Sequence, residues 1–357
     1  MYKSVRIEGL RGIKYIEIKD FQNINLFVGK NNCGKTTLLE SVFLLTGASN
    51  PQLPLNINAF RQYHIVNEST FRTFFNNFDV DSNIKIFGEL VKPEEKRDLV
   101  IKPDRSTITI IDKDTAEKES IEPRLGDTGI SRPINGLVLE FTSRQIGRKD
   151  ITVNTHVTVK GTNVEVKLPD KYQEQLKGVF LSGSGVAQDL KKRFDNILIK
   201  KQITRIVDSL KKIEPSLEGL SIDSTGTIFC DIGLKRLIPI QMAGNGMFKL
   251  LSILLAIANF ENGYIFIDEI ENGFHYASQE IMWNAVFQFA KDFNVQIFAS
   301  SHSYDCVNAL ASAYSKYAKN KLQIMLYRIE KRGEELHATS YDYKTLKESL
   351  ISGWEVR

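Results

Sequence analysis

Nine consecutive residues, Gly29-Lys30-Asn31-Asn32-Cys33-Gly34-Lys35-Thr36-Thr37, combine two glycines, an ammonium and hydroxyls at the spacing G-x-x-x-x-G-K-[ST]. Such a loop turns several backbone N–H groups toward one anion and sets the positive end of a following helix behind them. Lys35 would then bring a point charge to the outer phosphates of a nucleoside triphosphate, and the Thr36 hydroxyl would ligate Mg²⁺. At average residue frequencies the bare pattern arises by chance in roughly one such chain per hundred, so its flanks decide. They agree. Ile24 to Val28 reads as a buried strand, and Thr36 to Leu45 as a helix with Leu38, Val42 and Leu45 on one face. ATP and Mg²⁺ are the expected cofactors.

A second constellation lies far along the chain. Tyr264-Ile265-Phe266-Ile267 is an apolar run that ends in Asp268-Glu269, which would deliver two carboxylates to the carboxyl edge of a sheet, where open α/β folds collect ligands. Asp268 is expected to hold Mg²⁺ through water, and Glu269 to orient and polarise the attacking water. His302 follows another apolar run, Val295 to Phe298, and is placed to reach the γ-phosphate from a neighbouring strand end. Gly244-Asn245-Gly246, just ahead of a predicted helix, offers exposed amides to an anion.

The rest of the chain must position these groups. Ser4 to Gly9 and Tyr15 to Ile18 read as a strand pair around a turn, and the pattern then weakens between Pro51 and Asn77. Asn83 to Phe87, Ser106 to Ile110, Leu137 to Phe141 and the alternating stretch Ile151 to Leu168 predict antiparallel hairpins. Val186 to Ile213 predicts a basic amphipathic helix or helix pair carrying Lys191, Lys192, Arg193, Lys200 and Lys201. From Ser221 on, strand, loop, helix, strand, helix and strand follow, the two unalternating apolar runs being strands covered on both faces.

Composition excludes several classes. With 357 residues, 42% apolar and 25% charged, the chain is neither disordered nor a disulfide scaffold. The longest apolar run, Leu250 to Ala258, is about half of the ~20 residues a spanning helix needs, and no secretory leader is visible. Cys33, Cys230 and Cys306 form no CxxC pair, so no zinc site is expected and a reducing cytoplasm fits. A net charge of +4 permits contact with nucleic acid without demanding it.

The order of these motifs resembles the heads of ABC-type ATPases, and within them the OLD-like and structural-maintenance-of-chromosomes-like (SMC-like) group, in the branch called AAA15 or AAA21. The matching stretches are Gly29 to Thr37, Met242 to Met247, Tyr264 to His275 and Ala299 to Ser303. The opening Val5 to Gly12 and Asp268-Glu269-Ile270-Glu271-Asn272-Gly273-Phe274-His275 are especially typical. The resemblance implies an α/β P-loop NTPase head with a mixed or parallel core sheet, an antiparallel β subdomain and a helical insertion. One head would span residues 1–357: N-terminal strands and P-loop in 1–50, a β-rich insertion in 51–170, a basic helical arm in 171–220, and a C-terminal lobe in 221–357.

It also implies a dimer with two ATP molecules sandwiched between copies, each P-loop facing the partner's Gly244-Asn245-Gly246 turn, and residues 272–275 at the seam. Two departures stand out. Ala243 occupies the position nearest to the signature serine of the family, which implies hydrolysis that is slow or depends on a partner. The glutamine that usually links Mg²⁺ to the arm has no clear counterpart, Gln62 being the candidate. Neither a long coiled coil nor the Toprim nuclease domain of OLD nucleases is expected. Stand-alone heads of this group resemble ATPase subunits of bacterial anti-phage systems, so a separately encoded nuclease or toxin is the expected partner. Two other readings are carried forward: a DNA repair or recombination ATPase whose basic helix contacts duplex phosphates, and a scaffold that binds ATP without turnover.

Overall fold

A computed structural model describes residues 1–63, 65–105, 134–160, 163–169, 172–183, 189–317 and 322–356. The strand expected over Ser106 to Ile110 lies outside the described residues, as does Val186 at the start of the expected basic helix. The chain opens with β1 (Tyr2–Leu10), β2 (Ile13–Ile18) and β3 (Ile24–Val28), then the P-loop and α1 (Lys35–Thr46). The weakly patterned stretch forms two short helices, α2 (Leu53–Phe60) and α3 (Glu68–Arg72). Its sequence hides them because Pro54 sits in the first turn of one, while the other is five residues held by an Asn67–Thr70 capping box.

Next come β4 (Ile84–Leu90), β5 (Glu95–Asp104), β6 (Gly136–Gln145), β7 (Ile151–Lys160) and β8 (Asn163–Lys167). With β2 and β1 they make a seven-stranded antiparallel sheet, ordered β2-β1-β4-β5-β6-β7-β8. β5 escaped the sequence reading because its first residues, Glu95-Lys96-Arg97-Asp98, are all charged. Glu95 and Arg97 are nonetheless buried, paired to each other at 3.0 Å, and Arg97 also meets Glu174 at 2.6 Å.

The second half contains β9 (Gly178–Leu181), the helix pair α4 (Leu190–Ile199) and α5 (Ile203–Leu210), and the small sheet of β10 (Gly219–Ile222), β11 (Ile228–Asp231) and β12 (Ile238–Pro239). α6 (Asn245–Asn259), β13 (Tyr264–Ile267), α7 (Tyr276–Asp292), β14 (Gln296–Ser301), α8 (Tyr304–Ser315), β15 (Ile324–Arg332), β16 (Glu335–Asp342) and α9 (Tyr343–Ile351) complete the chain.

Six of these strands form the core sheet, β16-β15-β3-β14-β13-β9, parallel except for β16. It is the layer that both halves share. α1 lies between this sheet and the antiparallel one, and its Leu38, Leu39, Val42 and Leu45 are fully buried. At about 1.5–3 kcal/mol for each such side chain, this burial anchors the helix that begins at the P-loop. Phe27, Phe298, Phe266 and Phe180 line up across β3, β14, β13 and β9 on the α1 side, with adjacent rings 5.4 to 6.5 Å apart and nearly parallel. The opposite face packs on α6, α7 and α8 through Leu26, Val28, Ile265 and Ile297.

Candidate functional site

Three adjacent parallel strands, β3, β14 and β13, end at one rim of the core sheet. The ladder pairs Val28 with Ser301 and Ile267 with Ala299. Carried one residue further, it brings Gly29 beside His302 and Asp268 beside Ser300. With strands ~4.8 Å apart, motifs more than 230 positions apart in sequence become neighbours.

The P-loop shape depends on its glycines. Gly29 has φ +147, and a Cβ there would lie 2.4 Å from the Ile329 carbonyl oxygen; Gly34 has φ +87 and caps α1. No side chain caps α1 and its first turn holds no acid, so the leading amides remain available to an anion. The Lys35 ammonium is buried and donates to the carbonyls of Gly29 and Lys30, both at 2.8 Å. Cys33 is buried against the same loop. A cavity of about 540 Å³ is lined by Gly29, Lys30, Asn31, His302, Arg328 and Glu355. A second, of about 490 Å³, runs past Asn32 and Cys33 to β15.

On the other side of α1's first turn, the Thr36 hydroxyl donates to Asp268, 3.1 and 3.0 Å from its two carboxylate oxygens. A hydroxyl beside a carboxylate is a hard oxygen pair of the kind Mg²⁺ takes when a nucleotide supplies its other ligands. Among the described residues no group of three or more His, Cys, Asp or Glu could hold a metal ion. Thr37 is buried in the same turn and lies 3.4 Å from Arg61.

Ser300, which the sequence reading passed over, ties the acids together. Its hydroxyl donates to Asp268 at 2.5 Å and accepts from the Glu269 backbone N–H at 2.9 Å. Glu269 has a left-handed backbone, φ +49, a conformation that costs energy outside glycine and concentrates at functional sites. Its carboxylate accepts from Asn272 at 2.5 Å. Thr36, Glu40, Phe60, Arg61, Phe180, Ser182, Gly183, Asp268 and Glu269 enclose a smaller cavity of about 240 Å³.

Arg61 was also missed, while the candidate Gln62 is exposed and is not among the residues that line this cavity. The Arg61 guanidinium bonds both oxygens of buried Glu40, at 2.6 and 3.1 Å. Burial would weaken its hold on the proton, but Glu40 outweighs that and shifts it upward. Only α2, itself poorly legible, would have pointed to Arg61. Arg328 and Glu355 lie on an unmarked strand and a tail, and no sequence signal marks them.

Gly244, Asn245 and Gly246 stand apart. They form the uncapped start of α6, with Gly244 and Asn245 exposed, and they touch Gly273 and Phe274 rather than the P-loop of the same chain. Ala243 precedes them, partly buried. One turn along α6, Lys249 is buried, and burial pulls its ammonium below the usual lysine range against the opposing field of Asp268, Glu269 and Glu271. The basic arm is split. Lys191, Lys192, Lys200 and Lys201 are exposed, Lys191 donating to the Ser224 carbonyl, but Arg193 turns inward over Phe260 with only 8% exposure. Arg193 therefore leaves the set of expected phosphate contacts.

The family model of the AAA ATPase domain, AAA_15, matches residues 1–125 and 140–307. The chain belongs to this family. An "ATP/GTP phosphatase" of Helicobacter pylori is 24% identical over 337 residues, 87% of each chain. An uncharacterised protein of Methanocaldococcus jannaschii, MJECL11, is 29% identical over 105 residues, 29% of this chain and 90% of its own. Among solved structures, an SMC head bound to the C-terminal winged-helix domain of ScpA aligns over 97% of this AAA_15 chain and 99% of its own, with TM-score 0.50 and 11% identity. The SMC head of Pyrococcus furiosus, with an extended coiled coil and bound to the C-terminal domain of ScpA, gives 0.50 and 10% over 99% of each chain. The fold of the AAA_15 chain is thus that of SMC-like ABC-type heads, as the motif order implied, and the family supports nucleoside triphosphatase activity. Among the described residues no helix is long and apolar enough to cross a membrane.

Proposed function

We propose that the chain is an ATP-hydrolysing switch that works as a dimer of heads. The observation that carries the reading is the meeting of Thr36 with Asp268, with Glu269 lining the same cavity and His302 lining that of Gly29, Lys30 and Asn31. The P-loop amides and Lys35 hold the triphosphate, while Thr36 and Asp268 hold Mg²⁺, which when bound draws charge from the outer phosphates. Glu269, its carboxylate fixed by Asn272, accepts a hydrogen bond from the attacking water and aims it. His302 meets the γ-phosphate from the side of Lys30 and Asn31.

The exposed, uncapped start of α6 at Gly244-Asn245 supports a role in trans, completing the site of a second copy. ATP then joins two heads and hydrolysis releases them, a two-state element able to govern a separate effector. A nuclease or toxin of an anti-phage system is the effector class we favour, and the cytoplasm is the setting. Phosphate release and mass in solution test the switch together. Wild type should release phosphate, whereas Glu269→Gln should bind ATP, release almost none and accumulate as a dimer. A Glu269→Gln protein as active as wild type would overturn the assignment, and equal near-zero rates would leave only an ATP-bound scaffold.

A further inference from the structure

One buried carboxylate beside this rim has no part in the chemistry above. Glu271 lies two residues beyond Glu269 and is 6% exposed. Its Oε1 accepts the backbone N–H of His302 at 2.9 Å and lies 3.1 Å from His302 Nδ1. Its Oε2 is buried with no hydrogen-bond partner. A buried carboxylate left half satisfied is costly, and a structural clasp for one backbone amide needs only a neutral acceptor.

We propose that Glu271 is a positioning residue for His302, an inference that rests on the ATPase reading of the site. A carboxylate oxygen 3.1 Å from Nδ1 favours the neutral tautomer that carries its proton on Nδ1. Nε2 is then the ring nitrogen on the edge away from Glu271, and His302 lines the cavity shared with Gly29, Lys30 and Asn31. The backbone bond fixes where the residue begins, and the side-chain contact favours one turn of the half-exposed ring. The same turn holds Glu269 through Asn272 and meets the start of α6 through Gly273. Movement of that start by a second copy would therefore reach both Glu269 and His302 through one short segment.

The test combines a spectroscopic readout with a double-mutant cycle. In nucleotide-free protein labelled with ¹⁵N-histidine, His302 should carry its proton on Nδ1, and Glu271→Ala should shift it toward Nε2. Glu271→Gln, which keeps an oxygen acceptor, should preserve the wild-type tautomer. In turnover, Glu271→Ala should lower kcat roughly tenfold with KM for ATP within about twofold, as loss of a ring-orienting partner does. Glu271→Gln should recover most of that rate, and Glu271→Ala/His302→Ala should be no slower than His302→Ala alone. An unchanged tautomer in Glu271→Ala, or losses that multiply in the double variant, would overturn the proposal. Should the alanine variant fail to fold, Glu271→Leu, closer in volume, carries the same test. A wild type without turnover would refute the ATPase reading instead, and the tautomer would still report on the contact.

Discussion

Gly183 follows β9 and faces the candidate catalytic carboxylate from the neighbouring strand. A Cβ placed on it would stand 2.9 Å from Glu269 Oε2, where ordinary contact starts at 3.4 Å. Gly183→Ala should therefore push that carboxylate back by about 0.5 Å. The carboxylate is a flexible side-chain end, so the fold should absorb the methyl at little cost. Its function should not, because Glu269 is held by Asn272 on one side and by its strained backbone on the other. A 1 Å misplacement at a reacting centre costs roughly 100-fold, so half that distance predicts roughly a tenfold fall in kcat, about 1.4 kcal/mol of barrier. The heavy atoms nearest the added methyl all belong to Glu269, and the P-loop residues Gly29 to Asn31 line a different cavity, so ATP affinity should be unchanged. Phosphate release under single-turnover conditions, beside fluorescent-nucleotide titration, measures both quantities. An unaltered rate would mean that Glu269 does not need its observed place. Lost binding would mean that the cavity around Gly183 belongs to the phosphates and not to the water.

Lys35→Ala removes the one buried ammonium of the P-loop and should weaken ATP binding by roughly 2–5 kcal/mol, at least ~30-fold, in the same titration. Thr36→Ala should retain part of the nucleotide affinity in the absence of Mg²⁺ and lose the gain that Mg²⁺ gives, because only the hydroxyl beside Asp268 is removed. Trp283 is fully buried on α7, with its indole N–H on the Cys306 carbonyl at 3.2 Å; Trp283→Ala should cost about 3–5 kcal/mol in a urea titration. Burial first, then Glu271, push the Cys306 thiol up to about 12. The folded protein therefore keeps a proton that the unfolded chain gives up above about pH 8.5, so this contribution is complete below that pH and is lost as pH rises toward 12. The urea midpoint should fall more steeply between about pH 8.5 and 10 in wild type than in Cys306→Ala, and equal slopes would refute it.

What the sequence made legible follows from how local each signal is. The P-loop, β3 and α1 were readable because one stretch carries the strand, the glycines and the helix, each with its own period. β13 and β14 announced themselves as apolar runs because both faces of a parallel sheet are covered. β5 stayed hidden because Glu95 and Arg97 are buried as an ion pair, which composition reads as surface. Arg193 failed in the opposite direction: a basic residue in a basic run, it lies over Phe260 with its stem buried. Arg61 is legible only when Glu40 and α2 are known to face it.

The deepest gap was the order of strands. Motif order alone leaves open which strand stands next to the P-loop strand. In the fold β14 lies between β3 and β13, so the central strand must span what the outer two present. That explains what two residues at its end do. Ser300 points a hydroxyl at Asp268 on one side and accepts the Glu269 amide, while His302, two residues on, reaches the P-loop cavity on the other. A serine at this place is small enough to let Asp268 approach Thr36 and polar enough to hold both acids. Alanine would leave the Glu269 amide without its acceptor in a half-buried position, and valine would push Asp268 away from Thr36. The middle strand thus sets the spacing between the P-loop and the two acids, Asp268 and Glu269.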